Sequence, residues 1–274
     1  MKKIILVTGA TGAIGKATAL ELAKNNCSVI LLGRNAEKLS KAKEEIVAAT
    51  KNNEIGIAVA DLGEPASIRK AVAEIKSRHA SLSGLINTAA VYSKARKENS
   101  LGQEYMFATN HLGVFVLTNE LLDLLKAGKP SRVVTVSAPS RTKVNFDDIH
   151  GKQKWDPGFM GAFGASKMMN LLFTYALARR LEGTGVSTSV FHPGLVKSEL
   201  TKEMPAFMNF IFGMMSAPPE KAAKMLSKLA TGSEYQNANG AFFKFNGKQL
   251  QSSAYSYDKD VQEKLWELSR QMSE

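Results

Sequence analysis

Three glycines spaced by three, in Thr8-Gly9-Ala10-Thr11-Gly12-Ala13-Ile14-Gly15, carry the clearest chemistry in this 274-residue chain. The apolar run Ile4–Val7 leads into them and a helical pattern follows. Glycine allows a tight turn and lets the backbone approach a pyrophosphate. A helix starting at Ala13 would aim free N–H groups and a positive dipole end at that phosphate. A glycine triplet alone is weak evidence. Between a buried strand and a helix, Gly9, Thr11, Gly12, Ala13, Ile14 and Gly15 read as a dinucleotide loop, the alternative being a merely structural turn. Nineteen residues beyond Gly15, a second apolar run ends in Leu32-Gly33-Arg34-Asn35. An acidic residue there would bond a ribose 2′-hydroxyl, whereas arginine neutralises a 2′-phosphate. Arg34 therefore points to NADP(H), against the blander reading of a solubilising surface arginine.

Other chemistries find little support. The chain has no Gly-x-Ser-x-Gly elbow and no Gly-Lys-Ser/Thr phosphate loop. His79, His111, His150 and His192 are widely separated, without metal-ligand spacing, so no metal site is expected. His111 reads as a packing residue and His192 as a strand-end residue near the cofactor. The single cysteine, Cys27, excludes an intrachain disulfide and fits a reducing, cytoplasmic setting as a buried thiol.

The elements that must position these residues alternate. Strands are expected at Lys3–Val7, Ser28–Leu32, Ile55–Val59, Gly84–Ile86, Arg132–Val136 and Val186–Phe191. They are rich in Val, Ile and Leu without polar alternation, as strands buried on both faces are. Helices are expected at Ala13–Asn25, Ala36–Thr50, Glu64–His79, Leu101–Ala127 and Gly161–Glu182. The repetition gives one α/β domain over residues 1–274, a doubly wound parallel sheet of the Rossmann type. After His192 an irregular stretch, Gly194–Pro219, precedes a helix at Glu220–Ala230, a short strand at Ala241–Phe245 and a surface helix at Asp258–Met272.

Bulk properties agree with a globular protein: 44% hydrophobic, 22% charged, no low-complexity linker. The formal charge of +11 is spread along the chain. Without an arginine-rich helix or an aromatic ladder it reads as a solvated surface rather than a nucleic-acid face. The apolar start before Thr8 is too short for a signal peptide. The greasiest stretch, Met204–Met215, holds Pro205, Asn209 and Gly213, so no transmembrane segment is expected.

These residues resemble the short-chain dehydrogenase/reductase family across essentially the whole chain. Asp61-Leu62 is similar to that family's adenine contact. Asn87-Thr88-Ala89-Ala90 stands where the family has Asn-Asn-Ala-Gly, so Asn87 and Ala89 fit and the last position departs. Asn110-His111-Leu112-Gly113 resembles the helix asparagine motif, and Ser137 the catalytic serine. His192-Pro193-Gly194, with Val196 and Ser198, is similar to the nicotinamide-side loop. Asn145-Phe146-Asp147-Asp148-Ile149 and Leu265-Trp266-Glu267-Leu268-Ser269 resemble the retinol dehydrogenase and protochlorophyllide reductase branch. That resemblance implies a small lipophilic substrate, a substrate lid over about 194–219, and pairing of the long fourth and fifth helices in a homodimer or homotetramer. Met-rich packing of a core or dimer face explains the lid segment equally well.

The resemblance breaks at the family's Tyr-x-x-x-Lys, which here reads Phe163-Gly164-Ala165-Ser166-Lys167. The implied roles are proton transfer for the tyrosine, pKa tuning and ribose binding for Lys167, and a bond to the substrate oxygen for Ser137. Asn110 is implied in holding a relay water. Phe163 keeps the ring and deletes the proton, a change worth roughly 10²–10⁴-fold. Four readings stay open: a substituted and sluggish enzyme, another donor such as Tyr92 or water at Lys167, a reaction needing no phenolic proton, or an NADP(H)-binding protein without turnover.

Overall fold

The computed structural model describes residues 2–158, 160–196 and 217–274. Its strands are β1 (Ile4–Thr8), β2 (Ser28–Gly33), β3 (Ile55–Val59), β4 (Gly84–Asn87), β5 (Ser131–Val136), β6 (Val186–His192), β7 (Ala241–Lys244) and β8 (Gln249–Leu250). They form one sheet in the order β3-β2-β1-β4-β5-β6-β7-β8. All described neighbours run parallel except β7 and β8, which are antiparallel.

The strand sequences explain the double winding. On one face Leu6, Ile30, Leu32, Leu85 and Val133 pack beneath α3 (Pro65–Arg78), α5 (Gly113–Glu120) and α7 (Ala162–Arg180). On the other, Ile5, Val7, Val29, Leu31, Ile86 and Val134 pack beneath α1 (Ala13–Lys24), α2 (Ala36–Thr50) and α8 (Pro219–Thr231). Neighbouring residues of each strand therefore feed opposite cores, which is why the strands carry no polar alternation. From β1 the chain winds out to β3, then returns to β4 on β1's other side. That reversal leaves a crevice at the strands' carboxyl ends, where such folds bind ligands.

The fourth helix is where the expected pattern is most altered. Instead of one helix from Leu101 to Ala127, the chain enters α4 (Tyr105–Phe107) and widens into a π-helical turn, Ala108–Leu112. It resumes as α5 and ends in α6 (Leu122–Ala127). The start is set by Glu104, whose buried carboxylate accepts from the N–H groups of Met106 (2.8 Å) and Phe107 (2.7 Å). The π turn places Asn110 at the bulge, a distortion common at functional sites. Gly113 then lets the helix touch the Leu62 carbonyl, a space that any Cβ would overlap.

After β8 come α9 (Ala254–Tyr257) and α10 (Lys259–Ser273), the latter capped by Asp258. α10 lies across α7 and the π turn. Trp266 packs on Phe115 (5.0 Å) and Phe173 (5.7 Å), with the Arg180 guanidinium 4.0 Å from its ring. Ser269 Oγ meets His111 Nε2 at 2.8 Å, and Arg179 pairs with Glu263 at 2.9 Å. The last helix thus covers part of the fourth and fifth helices, at Phe115, Phe173 and His111. The expected lid falls mostly on 197–216, outside the described residues; at its base Val196 bridges Ala217, whose N–H donates to the Leu195 carbonyl at 2.8 Å. Among the described residues no helix is long and apolar enough to cross a membrane.

Candidate functional site

A cleft of about 640 Å³ opens at the carboxyl ends of β1, β2 and β4. Gly9, Thr11, Gly12, Ala13, Ile14 and Gly15 form one wall. The loop is shaped by contacts within the protein. Gly9 adopts φ +61°, and a Cβ there would lie 2.8 Å from Ala89 Cα. A Cβ on Gly15 would overlap the Gly9 carbonyl. Gly12 differs, since its Cβ would meet only that carbonyl oxygen at 3.3 Å. Gly12 is also the N-cap of α1 and offers no side-chain cap, so the first-turn N–H groups are left for a ligand. An uncapped, uncrowded helix N-terminus suits a pyrophosphate.

Across the cleft, Thr8 ties the walls together. Its hydroxyl accepts from the N–H groups of Thr88 and Ala89, both at 3.1 Å. Asn87 does not line the cleft: its amide turns inward toward Thr118 (3.3 Å) and Thr135 (3.5 Å), leaving Oδ1 buried without a partner.

The far end of the cleft is basic. Arg34 and Lys38 both line it, with Asn35 capping α2 through a bond from the Lys38 N–H (2.8 Å). Arg34 Nη1 donates to the Tyr105 hydroxyl at 2.6 Å, reaching across to α4. Asp61 and Leu62 line the same end, and Asp61 Oδ1 accepts from the Gly63 N–H at 2.8 Å. Sequence reasoning missed Lys38 and Tyr105. Lys38 left a faint signal, a lysine in the first turn of a helix where the dipole disfavours it.

At the opposite end stand Ala90, Val91 and Tyr92. Beyond them lies the group expected to do chemistry. Ser137, buried at the end of β5, donates to the Lys167 carbonyl at 2.7 Å. Lys167 is itself only 7% exposed, and burial pushes its ammonium down to about 8. Its Nζ lies 5.1 Å from the centre of the Phe163 ring. The Tyr92 ring meets that same ring edge-on at 5.7 Å and 72°.

Asn110 binds this region together. Its Oδ1 accepts from the Val91 N–H (2.7 Å), and Nδ2 donates to the Val91 carbonyl (2.9 Å) and Ser166 Oγ (3.2 Å). Ser166 Oγ in turn donates to the Phe163 carbonyl at 2.8 Å. The Asn110 carbonyl accepts from Asn170 at 2.9 Å. The side-chain amide is therefore engaged in holding Val91 and Ser166, and the backbone carbonyl in holding Asn170.

Pro193 and Gly194 follow β6, with Gly194 at φ +74° beside the Phe245 ring. Neither they nor Val196 line the cleft, and Ser198 lies outside the described residues. His111 is fully buried and held neutral, its pKa pushed down to about 3 by that burial. Among the described residues no group of three His, Cys, Asp or Glu side chains could hold a metal.

Comparison with known proteins gives the lineage. The short chain dehydrogenase family profile matches residues 3–209. Retinol dehydrogenase 12 of Mus musculus is 34% identical over 271 residues, covering 97% of this chain and 85% of that protein. Retinol dehydrogenase 13 of Homo sapiens is 35% identical over 276 residues, covering 96% and 82%. Among solved structures, an uncharacterized protein from Mycobacterium paratuberculosis superposes with a TM-score of 0.78 at 26% identity, covering 99% of this chain and 93% of that one. L-sorbose reductase from Gluconobacter frateurii, at 17% identity and TM-score 0.72, covers 92% and 98% and shares the fold. With its sheet order, glycine loop and these relatives, the chain belongs to the short chain dehydrogenase family of oxidoreductases.

Proposed function

We propose that the protein is an NADP(H)-dependent oxidoreductase acting on a hydrophobic carbonyl, alcohol or conjugated double bond, with proton delivery altered at Phe163. The observation that carries the cofactor assignment is the pairing of Arg34 with Lys38 at the rim of a cleft whose wall is an uncapped helix N-terminus. Two cations there favour a 2′-phosphate over a bare ribose hydroxyl. The first-turn N–H groups of α1 would hold the pyrophosphate, Asp61 and Leu62 the adenine, and Lys167 the nicotinamide ribose. When bound, the dinucleotide supplies or accepts a hydride.

The chain's own residues then handle the substrate oxygen. Ser137 is buried and already hydrogen-bonded, so its hydroxyl must turn from the Lys167 carbonyl toward that oxygen. Lys167 contributes positive charge, which stabilises a developing oxyanion or phenolate. A lipophilic substrate is supported by the retinol dehydrogenase relatives and by Met204–Met215. The lone cysteine, Cys27, is buried and fits a reducing, cytoplasmic setting. A second reading, an NADP(H)-binding protein without turnover, is favoured by one feature: the Lys167 ammonium sits over a Phe163 ring that carries no hydroxyl.

The test is Phe163→Tyr assayed with NADPH on a panel of lipophilic ketones and enones. An active variant beside a nearly silent parent supports simple deletion of the acid. Parent activity equal to the variant's supports altered proton delivery. Silence from both, with NADPH bound, supports the binding role.

A further inference from the structure

We propose that Tyr92, on the loop after β4, donates the proton that position 163 cannot. The inference rests on the oxidoreductase reading above and adds the residue that completes it. Three observations converge on this phenol. Tyr92 is half-buried and lines the cleft, at the end away from Arg34 and Lys38. Its ring packs edge-on against Phe163, the ring that replaces the tyrosine expected there. And its backbone neighbour is fixed: the Asn110 amide grips both the N–H and the carbonyl of Val91, then continues through Ser166 Oγ to the Phe163 carbonyl.

That chain of bonds makes Val91, Asn110, Ser166 and Phe163 one unit. Tyr92 is thereby held against the Phe163 ring while its loop borders the ligand space. A general acid must be positioned before it is tuned. Lys167 Nζ sits over the same Phe163 ring, so the cation and the Tyr92 ring share one neighbour.

For carbonyl reduction the balance is complete. A hydride adds to the carbonyl carbon, the C=O π pair moves onto oxygen, and oxygen takes the Tyr92 hydroxyl proton. The tyrosinate left behind is reprotonated from solvent. The net change is one ketone, one NADPH and one proton converted to one alcohol and one NADP⁺. In the reverse direction tyrosinate removes the alcohol proton.

The experiment uses the full chain with Tyr92→Phe, Phe163→Tyr and the double variant. Phenylalanine at 92 keeps the edge-on ring contact, so the fold is preserved. Reduction of a lipophilic ketone is followed across pH, and NADPH binding by fluorescence. Tyr92→Phe should lower kcat by about 10²-fold or more and leave the NADPH Kd within about twofold of the parent's. The double variant, with the acid restored at 163, should recover activity. A Tyr92→Phe enzyme retaining the parent's kcat and pH profile overturns the assignment alone. A silent parent beside an active Phe163→Tyr overturns Tyr92 and leaves the oxidoreductase reading standing; silence from both, with NADPH bound, overturns that reading and Tyr92 with it.

Discussion

Replacing Lys167 by methionine should stabilise the protein while disabling it. The ammonium is 7% exposed, and its contact is the face of Phe163, 5.1 Å from Nζ. Burial lowers its pKa from 10.5 to about 8. At 1.36 kcal/mol per pH unit, holding the charge inside costs roughly 3 kcal/mol at neutral pH. The sign follows from proton counting. Between about 8 and 10.5 the unfolded chain holds this proton and the folded chain releases it, so stability climbs with pH through that window. Below it the penalty is fully present; above it the penalty is gone. Methionine keeps the length of the stem and removes the charge, forfeiting a cation–π contact of about 1 kcal/mol. The net gain at pH 7 is then about 2 kcal/mol, or roughly 3–4 °C in Tm for a domain of this size. Calorimetry of parent and Lys167→Met at pH 7 and near pH 10.5 measures this. The difference should be positive at pH 7 and close to zero at the higher pH. A destabilised variant at pH 7, or an equal gain at both, refutes the reasoning. Lost ribose binding and turnover in the same variant would mark the lysine as kept for function at the expense of stability.

Other perturbations separate fold from site. Gly12→Ala should leave Tm within about 4 °C but weaken NADPH about 100-fold, since a methyl there obstructs charge-assisted bonds at the α1 N-terminus. Gly15→Ala should lower both, by about 1–3 kcal/mol in stability, because its Cβ overlaps the Gly9 carbonyl; thermal melts and fluorescence titration decide, and a stable Gly15→Ala would contradict the packing. Trp266→Ala should cost about 2–3 kcal/mol by uncovering Phe115 and Phe173, read by denaturant unfolding. Removing residues 254–274 should raise the mass in light scattering as the apolar α7 face seeks a partner; an unchanged mass would show that α10 does not shield it.

The sheet was legible because its inner strands, buried on both faces, leave continuous apolar runs; the edge strand Ile55–Val59 and the helix Ala36–Thr50 also match their expected bounds, although Gly56 and Val59 are exposed. Boundaries failed where side chains override periodicity. The Glu104 carboxylate moved a helix start by four residues, and a π turn interrupted a stretch whose composition reads as unbroken helix. The two-residue β8 and four-residue α9 are too short to leave a pattern. At the site, the loop glycines and Arg34 were readable because each is dictated by local backbone or by a charge at a strand end. Lys38, Tyr105 and Tyr92 were harder, as they join the cleft from separate elements and only the assembled sheet brings them together. The reach of Asn110 to Val91 is of the same kind, a contact across 19 residues with no local signature.

The central claim, that this cleft is built for a 2′-phosphorylated dinucleotide, is tested most directly by the ratio of NADPH to NADH affinity in the parent and in Arg34→Asp. Arg34 and Lys38 together should give the parent at least a tenfold preference for NADPH, about 1.4 kcal/mol, and Arg34→Asp should erase or invert it while NADH binding survives. Equal affinities in the parent, or an equal loss of both dinucleotides in the variant, would contradict the account.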